Sequence, residues 1–354
     1  MGVYKMEIKQ YKATFFAILA AALYGISSPV SKLLLKEIPP MLMAACLYLG
    51  AGMGIAIVQF IKHKKYKNTE ARLTKHELPY IIGMVLLDIA APIFLMYGLT
   101  MTTAANASLL NNFEIVATSL IALLIFKESI SKRLWGAISL ITVSSIILSV
   151  EDISSFSFSF GSIFVLIACF CWGLENNCTR KLSVKDPLEI VVIKGLGSGI
   201  GCFLIAFMLG EHTNNITYII IALVLGFFAY GLGISFYIYA QRELGAAKTS
   251  AYYAIAPFIG VGLSLIIFRE IPTLSFIIAL VIMIVGACFA STEEHNHKHR
   301  HMVITHEHSH SHDDGHHSHI HNEIIIGKHN HIHNHEEYFH SHKHTQDIHH
   351  SHDH

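Results

Sequence analysis

The sequence predicts an all-α membrane protein: ten transmembrane helices arranged as two inverted five-helix repeats, followed by a disordered histidine-rich tail. Three observations carry this reading. The 354 residues are 53% hydrophobic and only 14% charged, where a soluble domain carries about 25% charged residues. Apolar runs long enough to cross a bilayer recur ten times. One such run, Ala104 to Glu128, returns 142 residues later as Ala246 to Glu270.

The ten runs lie at about 13–35, 40–61, 78–98, 103–126, 133–150, 159–178, 188–209, 215–238, 246–268 and 272–290. Each spans a hydrocarbon core of about 30 Å at about 1.5 Å per residue. In lipid a single segment satisfies its own backbone only as a helix. The run at 13–35 is a first span that also directs insertion; it lacks the short core and A-x-A site of a cleaved leader. The predicted organisation is a cytoplasmic N-terminus at 1–12, a first repeat at 13–150, a second at 151–290 and the tail at 291–354.

The short connections set orientation. Seventeen lysines and arginines lie on one side, chiefly in the N-terminus and the loops at 62–75, 127–133, 180–185 and 242–248. The other side has Lys36 and Arg269, with Lys32 just inside the first span. Lysine and arginine mark cytoplasmic loops, so both termini are expected in the cytoplasm, with the chain in the plasma membrane.

The two copies of the internal repeat share seven of 25 positions: Ala104/Ala246, Ala105/Ala247, Ser108/Ser250, Leu123/Leu265, Ile125/Ile267, Phe126/Phe268 and Glu128/Glu270. They sit in spans 4 and 9. Five spans is an odd offset, so the halves must cross the membrane in opposite senses, as in several secondary-transporter folds. The starts of the halves also align, YGISSPVSK from Tyr24 with WGLENNCTR from Trp172, which pairs Gly25 with Gly173 and Lys32 with Arg180.

These residues resemble the drug/metabolite transporter superfamily in its EamA branch. The resemblance rests on Ala104–Ser108 and Glu128, on Ala246–Ser250, Pro257 and Glu270, and on Tyr24–Gly25 and Trp172–Gly173 with the following cations. It covers about 13–290. It implies a non-enzymatic secondary transporter of small organic solutes, often an exporter of amino acids or other metabolites. The chain departs from the family pattern at Ile115, where the second copy has Pro257, so a helix break is expected in one copy only.

Polar residues within the spans are the candidates for the solute or proton pathway. Asp88 and Glu114 fall near the centres of spans 3 and 4. A charge there costs about 2.5–3.5 kcal/mol on insertion scales, so it faces a cavity or a partner. Either carboxylate can bind an amino group or carry a proton, or else tie two helices together. Asn111 shares a helix face with Glu114 and Asn112 does not; both can equally serve as interhelical hydrogen-bonding groups. Glu175 lies close to the end of span 6, and Lys194 is about two turns into span 7. They can pair, contact an anionic group or snorkel to the interface. Gly195/Gly199 and Gly197/Gly201 form two interleaved small-residue pairs whose default role is close packing. Tyr230, Tyr237, Tyr239, Tyr252 and Tyr253 can line a pore or anchor at an interface. Cys169, Cys171 and Cys178, with Cys202, suit either packing or a soft-metal site.

After Ser291 the composition changes. The last 64 residues hold 23 of the 26 histidines. Too few of them are apolar to build a core, which predicts disorder in the free tail. The histidines alternate through His295, His297, His299 and His301, through His306, His308, His310 and His312, and through His329, His331, His333 and His335. Imidazoles at this density suit Zn, Ni or Co; no strict zinc-finger spacing is present. No cofactor is required by any motif.

Three readings follow. In the first, the chain carries a small organic metabolite, with a metal-binding tail. In the second, the metal itself is the cargo; against this, His63, His76 and His212 all lie in loops and no histidine lies within a span. In the third, the bundle only anchors a metal store. No ATPase signature, nucleophile elbow or HExxH motif points to an enzyme. The expected partners are the bilayer, a small solute and transition-metal ions, and nothing suggests a nucleic acid.

Overall fold

The structure is a computed structural model that describes residues 2–65, 73–126, 131–152, 157–182, 185–244, 249 and 252–291, and four tail segments. Helices α1 (Gly2–Leu34), α2 (Pro40–Lys65) and α3 (Leu78–Met101) correspond to spans 1–3. Span 4 is two helices, α4 (Ala104–Leu110) and α5 (Phe113–Phe126), and span 5 is α6 (Lys132–Ser149). A short pair of strands, β1 (Val150–Asp152) and β2 (Ser157–Phe158), leads into α7 (Phe160–Leu182) and α8 (Pro187–Met208). Span 8 is α9 (Ile216–Gly226), a π-helical segment (Phe227–Leu232) and α10 (Gly233–Leu244); α11 (Ala256–Phe268) and α12 (Leu274–Ser291) complete the bundle.

Eight of these stretches are long and apolar enough to cross a membrane among the described residues. Spans 9 and 10 correspond to the shorter apolar helices Ala256–Phe268 and Leu274–Ala290. The helix ends agree with local chemistry. Thr103 caps α4 by accepting from the Asn106 N–H at 3.1 Å, and Ser131 caps α6 by accepting from Leu134. Such caps satisfy amide groups that the first helical turn leaves unpaired. His63 lies in the last turn of α2 and His76 in a 3₁₀ turn, where the sequence suggested loops.

The expectation of a single helix break is corrected. The first repeat also breaks, at Asn111–Asn112, despite having isoleucine where the second has Pro257. Asn112 N–H bonds to Leu109 O at 3.2 Å and Glu114 N–H to Asn111 O at 3.1 Å, three residues back rather than four. The Asn112 side chain also donates to Leu109 O at 3.2 Å. Asparagine competes for backbone groups and so interrupts a helix without proline. In the second repeat the turn falls at Ala254–Ile255, with Pro257 in the first turn of α11.

The halves interlock. Helix α2 packs along its counterpart α8 and α6 along its counterpart α12, and α4 of span 4 packs along α11 of the equivalent span 9. The packing of α3 on α7 is mirrored by α1 on α10, and that of α5 on α7 by α1 on α11. A pseudo-two-fold produces this pattern. The ends of α1, α3, α6 and α11 meet the starts of α4 and α7 around one pocket, so span 1 finishes where span 6 begins. The repeats are therefore inverted.

Glycines allow the closest crossings. A Cβ on Gly25 would lie 2.5 Å from Ala256 O and 3.0 Å from Ile259 Cβ. A Cβ on its counterpart Gly173 would lie 2.7 Å from Ala117 Cβ and 2.8 Å from Thr118 N. Ala117 and Ile259 occupy equivalent repeat positions, so the two contacts are the same contact made twice. In α8, Gly195 and Gly199 press on α2 at Gly52 and Leu49, while Gly197 and Gly201 press on Val85 and Ile89 of α3. The interleaved glycines thus serve two different neighbours, and both are packing contacts.

In the tail, the backbone of β3 (His295–Arg300) pairs antiparallel with β6 (Phe339–His344), and β4 (Ile304–His310) with β5 (His329–His335). The register sets histidine opposite histidine, as in His297↔His342 and His308↔His331. His301 and His312 lie outside the described residues.

Gly52→Leu is expected to lower the melting temperature of the purified protein markedly, since overpacking costs about 1–3 kcal/mol or more and the opposing atoms are the backbone of α8. Gly262→Ala, which meets nothing within 4 Å, is expected to leave melting unchanged or raise it. Equal melting of the two variants would contradict the backbone crossing.

Candidate functional site

The polar residues of α3, α7 and α8 converge inside the bundle. Lys194 Nζ lies 2.9 Å from Glu175 Oε2 and 3.1 Å from Asp88 Oδ2. Asp88 and Glu175 are 0% and 1% exposed. The expectation that Glu175 and Lys194 reach an interface is corrected: both turn inward, and Lys194 bridges two carboxylates. The Tyr48 hydroxyl donates to Asp88 Oδ1 at 2.9 Å, and Trp172 Nε1 donates to the Tyr48 oxygen at 3.4 Å. The Thr179 hydroxyl donates to Glu175 Oε1. Asp88 Oδ2, although within ion-pair distance of Lys194, makes no aligned hydrogen bond.

Glu114 sits in the first turn of α5, just after the break. Helix N-termini favour negative charge, so the broken span places this carboxylate where the local dipole stabilises it. Asn176 Nδ2 donates to Glu114 Oε1 at 2.7 Å and reaches Thr118 Oγ1 at 3.3 Å. Asn177 instead donates to Gly173 O at 2.8 Å and to Thr118 O at 3.3 Å, holding α7 against α5.

The helix face that Asn111 was expected to share with Glu114 is interrupted by the break. The break rotates Asn111 towards α7, where Cys169 Sγ lies 3.9 Å from its Oδ1. Asn112 turns back on its own helix. Ser108 is buried against the Gly260 region of α11, and among the described residues its hydroxyl has no hydrogen-bond partner. Glu128 and Ser250 lie outside the described residues. Glu270 faces the pocket at the far end of the bundle.

A string of tyrosines joins the cluster. Ring centroids of Tyr48 and Tyr230 are 5.4 Å apart, Tyr230 and Tyr24 6.0 Å, Tyr24 and Tyr253 5.9 Å, and Tyr253 and Tyr237 4.9 Å. Tyr230 lies in the π-helical segment, a distortion common at functional sites. Tyr239 stands apart from the string, edge-on to Phe16 at 5.1 Å, and Tyr252 is 37% exposed. Tyr48 was missed from sequence; its only signal is a hydroxyl amid an apolar span.

The cysteines do not gather. Cys169 faces Leu110 O at 3.6 Å and Cys202 faces Ile89 O at 3.7 Å. Among the described residues no group of three histidine, cysteine, aspartate or glutamate side chains could hold a metal.

An inverted helical bundle with buried carboxylates and a broken span fits a membrane transporter. The chain belongs to the EamA-like transporter family, whose model matches residues 11–150 and 159–292. An uncharacterized transporter of Methanothermobacter thermautotrophicus is 28% identical over 271 residues, 72% of this chain and 78% of that protein. An uncharacterized transporter of Clostridium kluyveri is 24% identical over 297 residues, 78% of this chain and 92% of its own length. The uncharacterized transporter YyaM of Bacillus subtilis is 23% identical over 236 residues, 63% and 75% of the two chains. One solved crystal structure shares the fold with a TM-score of 0.57 at 15% identity, covering 78% of this chain and 96% of its own.

Removing one partner of a buried charge pair costs about 3–5 kcal/mol, because the remaining charge is stranded. Lys194→Met is therefore expected to destabilise the bundle severely. Combining it with Asp88→Asn and Glu175→Gln should restore much of the loss. A triple variant no more stable than Lys194→Met alone, by thermal melting in detergent, would show that Lys194 acts through packing rather than charge.

Proposed function

We propose that this chain is a secondary transporter, working as an exporter, for a small organic metabolite carrying an amino group, such as an amino acid. The observation that carries the reading is the charge count of the cluster. Lys194 bridges two of the three carboxyls, Asp88 and Glu175, while Glu114 is met by the Asn176 amide, and among the described residues Asp88 Oδ2 lacks an aligned hydrogen-bond donor. Unpaired charge in low dielectric is costly, so the cluster calls for a proton or a second cation. A solute ammonium supplies that cation. In competing with Lys194 for Asp88 it loosens the tie between α3 and α8, and the tyrosine string offers apolar and cation–π contact for the rest of the solute. The same carboxyls can carry a coupling proton when the solute leaves. The chain is placed in the plasma membrane, and the lysine asymmetry supports both termini being cytoplasmic.

The test is flux in proteoliposomes with a panel of radiolabelled amino acids, with and without a pH gradient. Asp88→Asn and Glu114→Gln are each expected to cut flux at least about tenfold, equivalent to about 1.4 kcal/mol, in protein that still elutes as a single species. Unchanged flux in both variants would end this reading.

The tail is proposed to bind Zn, Ni or Co on the cytosolic side as an accessory to transport. Calorimetric titration of the full chain should show several metal equivalents bound, lost on truncation after Ser291, with organic flux retained. Ligating imidazole must be deprotonated, so binding should weaken as pH falls through about 6.5. Metal binding that survives truncation would remove the tail from the assignment.

A further inference from the structure

An open polar pocket lies at the opposite end of α3 from the charged cluster. It offers about 410 Å³ open to the surface, at the small end of ligand pockets, which run from roughly 300 to 1,000 Å³. Asp88 and the pocket residue Met101 are separated by roughly 20 Å along α3 at 1.5 Å per residue, so the two sites are distinct. Residues of both halves line it, Lys32, Thr100 and Asn106 from the first and Ser159 and Glu270 from the second.

Its two charges are held differently. Lys32 Nζ donates to Leu99 O and, at 2.8 Å, to Thr102 O. These are carbonyls at the end of α3, where a cation is favoured. An ammonium has three donors, so one N–H remains for a ligand. Glu270 follows Arg269, whose left-handed backbone (φ 52°) turns the chain sharply at the end of α11. Among the described residues no hydrogen bond or direct ion pair holds the Glu270 carboxylate, although it shares the pocket with Lys32. Asn106 makes the wall stiff: its amide donates to Thr102 Oγ1 and Ser162 Oγ, both at 2.9 Å, and to Leu148 O at 3.3 Å. The pocket therefore presents a fixed cation and a carboxylate that interact through space but, among the described residues, make no direct ion pair.

We propose that this vestibule is a second solute site, specific for a small zwitterion: a free amino acid whose carboxylate meets Lys32 and whose ammonium meets Glu270. Both charges of one ligand are satisfied without rearranging the wall. A ligand with one charge leaves the other pocket charge unpaired. The inference goes beyond the transport reading and does not depend on flux through the central cluster.

Thr100, exposed at the rim with its hydroxyl donating to Tyr97 O within its own helix, is the reporter position. Full-length Thr100→Cys in detergent would be labelled with a maleimide, and the rate at position 100 followed by peptide mass spectrometry so that native cysteines do not contribute. L-threonine at ten times its half-protecting concentration is expected to slow labelling about tenfold, by mass action. N-acetyl-L-threonine and L-threoninamide, each lacking one charge, are expected to protect little. Glu270→Gln should abolish protection, as should Lys32→Met, whereas Asp88→Asn should retain it. Glu270→Gln breaks no hydrogen bond or ion pair among the described residues, so it tests the idea even if Lys32→Met fails to fold. Absence of protection by L-threonine, equal protection by the singly charged analogues, or protection intact in Glu270→Gln would overturn the proposal. Protection lost in Asp88→Asn alone would place the amino acid at the central cluster and would also overturn it.

Discussion

The bundle depends on one shared ammonium. Lys194 joins α8 to both α3 and α7 through two carboxylates removed from water. A buried pair of this kind returns little net stability against apolar packing, yet losing one member strands the others. The cluster therefore specifies which helices meet more than it strengthens their meeting. Tyr48 and Trp172 extend the tie to α2, so four helices from both halves are held to one polar centre. A centre of that kind is suited to change when a ligand or proton alters its charge.

Around it, the contacts are built from small residues. Gly52 against Gly195 and Gly25 against Ala256 bring backbones into direct approach. In lipid there is little hydrophobic drive between helices, so close van der Waals packing supplies the association. The same close packing limits where polar space remains. It remains at the end of the bundle where Lys32 and Glu270 face a common pocket, while buried polar groups gather where span 4 breaks at Asn111–Asn112. Each lies at the seam between the repeats, because only there do side chains of opposite topology point at one another.

Much of this was legible beforehand. The alignment of Gly25 with Gly173 anticipated two equivalent crossings, since an inverted repeat must make its contacts twice. Asp88, Glu114, Glu175 and Lys194 stood out because a charge in a span is expensive. The break at Asn111–Asn112 was not legible from the absent proline, because asparagine interrupts a helix through its side-chain hydrogen bonds. Tyr48 was hidden because a tyrosine in an apolar span reads as packing until an acceptor is known.

By itself the sequence determined what acts along the chain: the apolar runs, the odd offset between repeat copies, the inventory of buried charges and the change of composition after Ser291. These depend on periodicity and composition, which a single chain displays. Only the tertiary structure decided what acts between spans. It turned Glu175 inward to share Lys194 with Asp88, separated Asn111 from the Glu114 carboxylate, and left Glu270 facing Lys32 without a direct pair. Those outcomes depend on the rotation and depth of each helix against its neighbours, and close packing at glycines sets both.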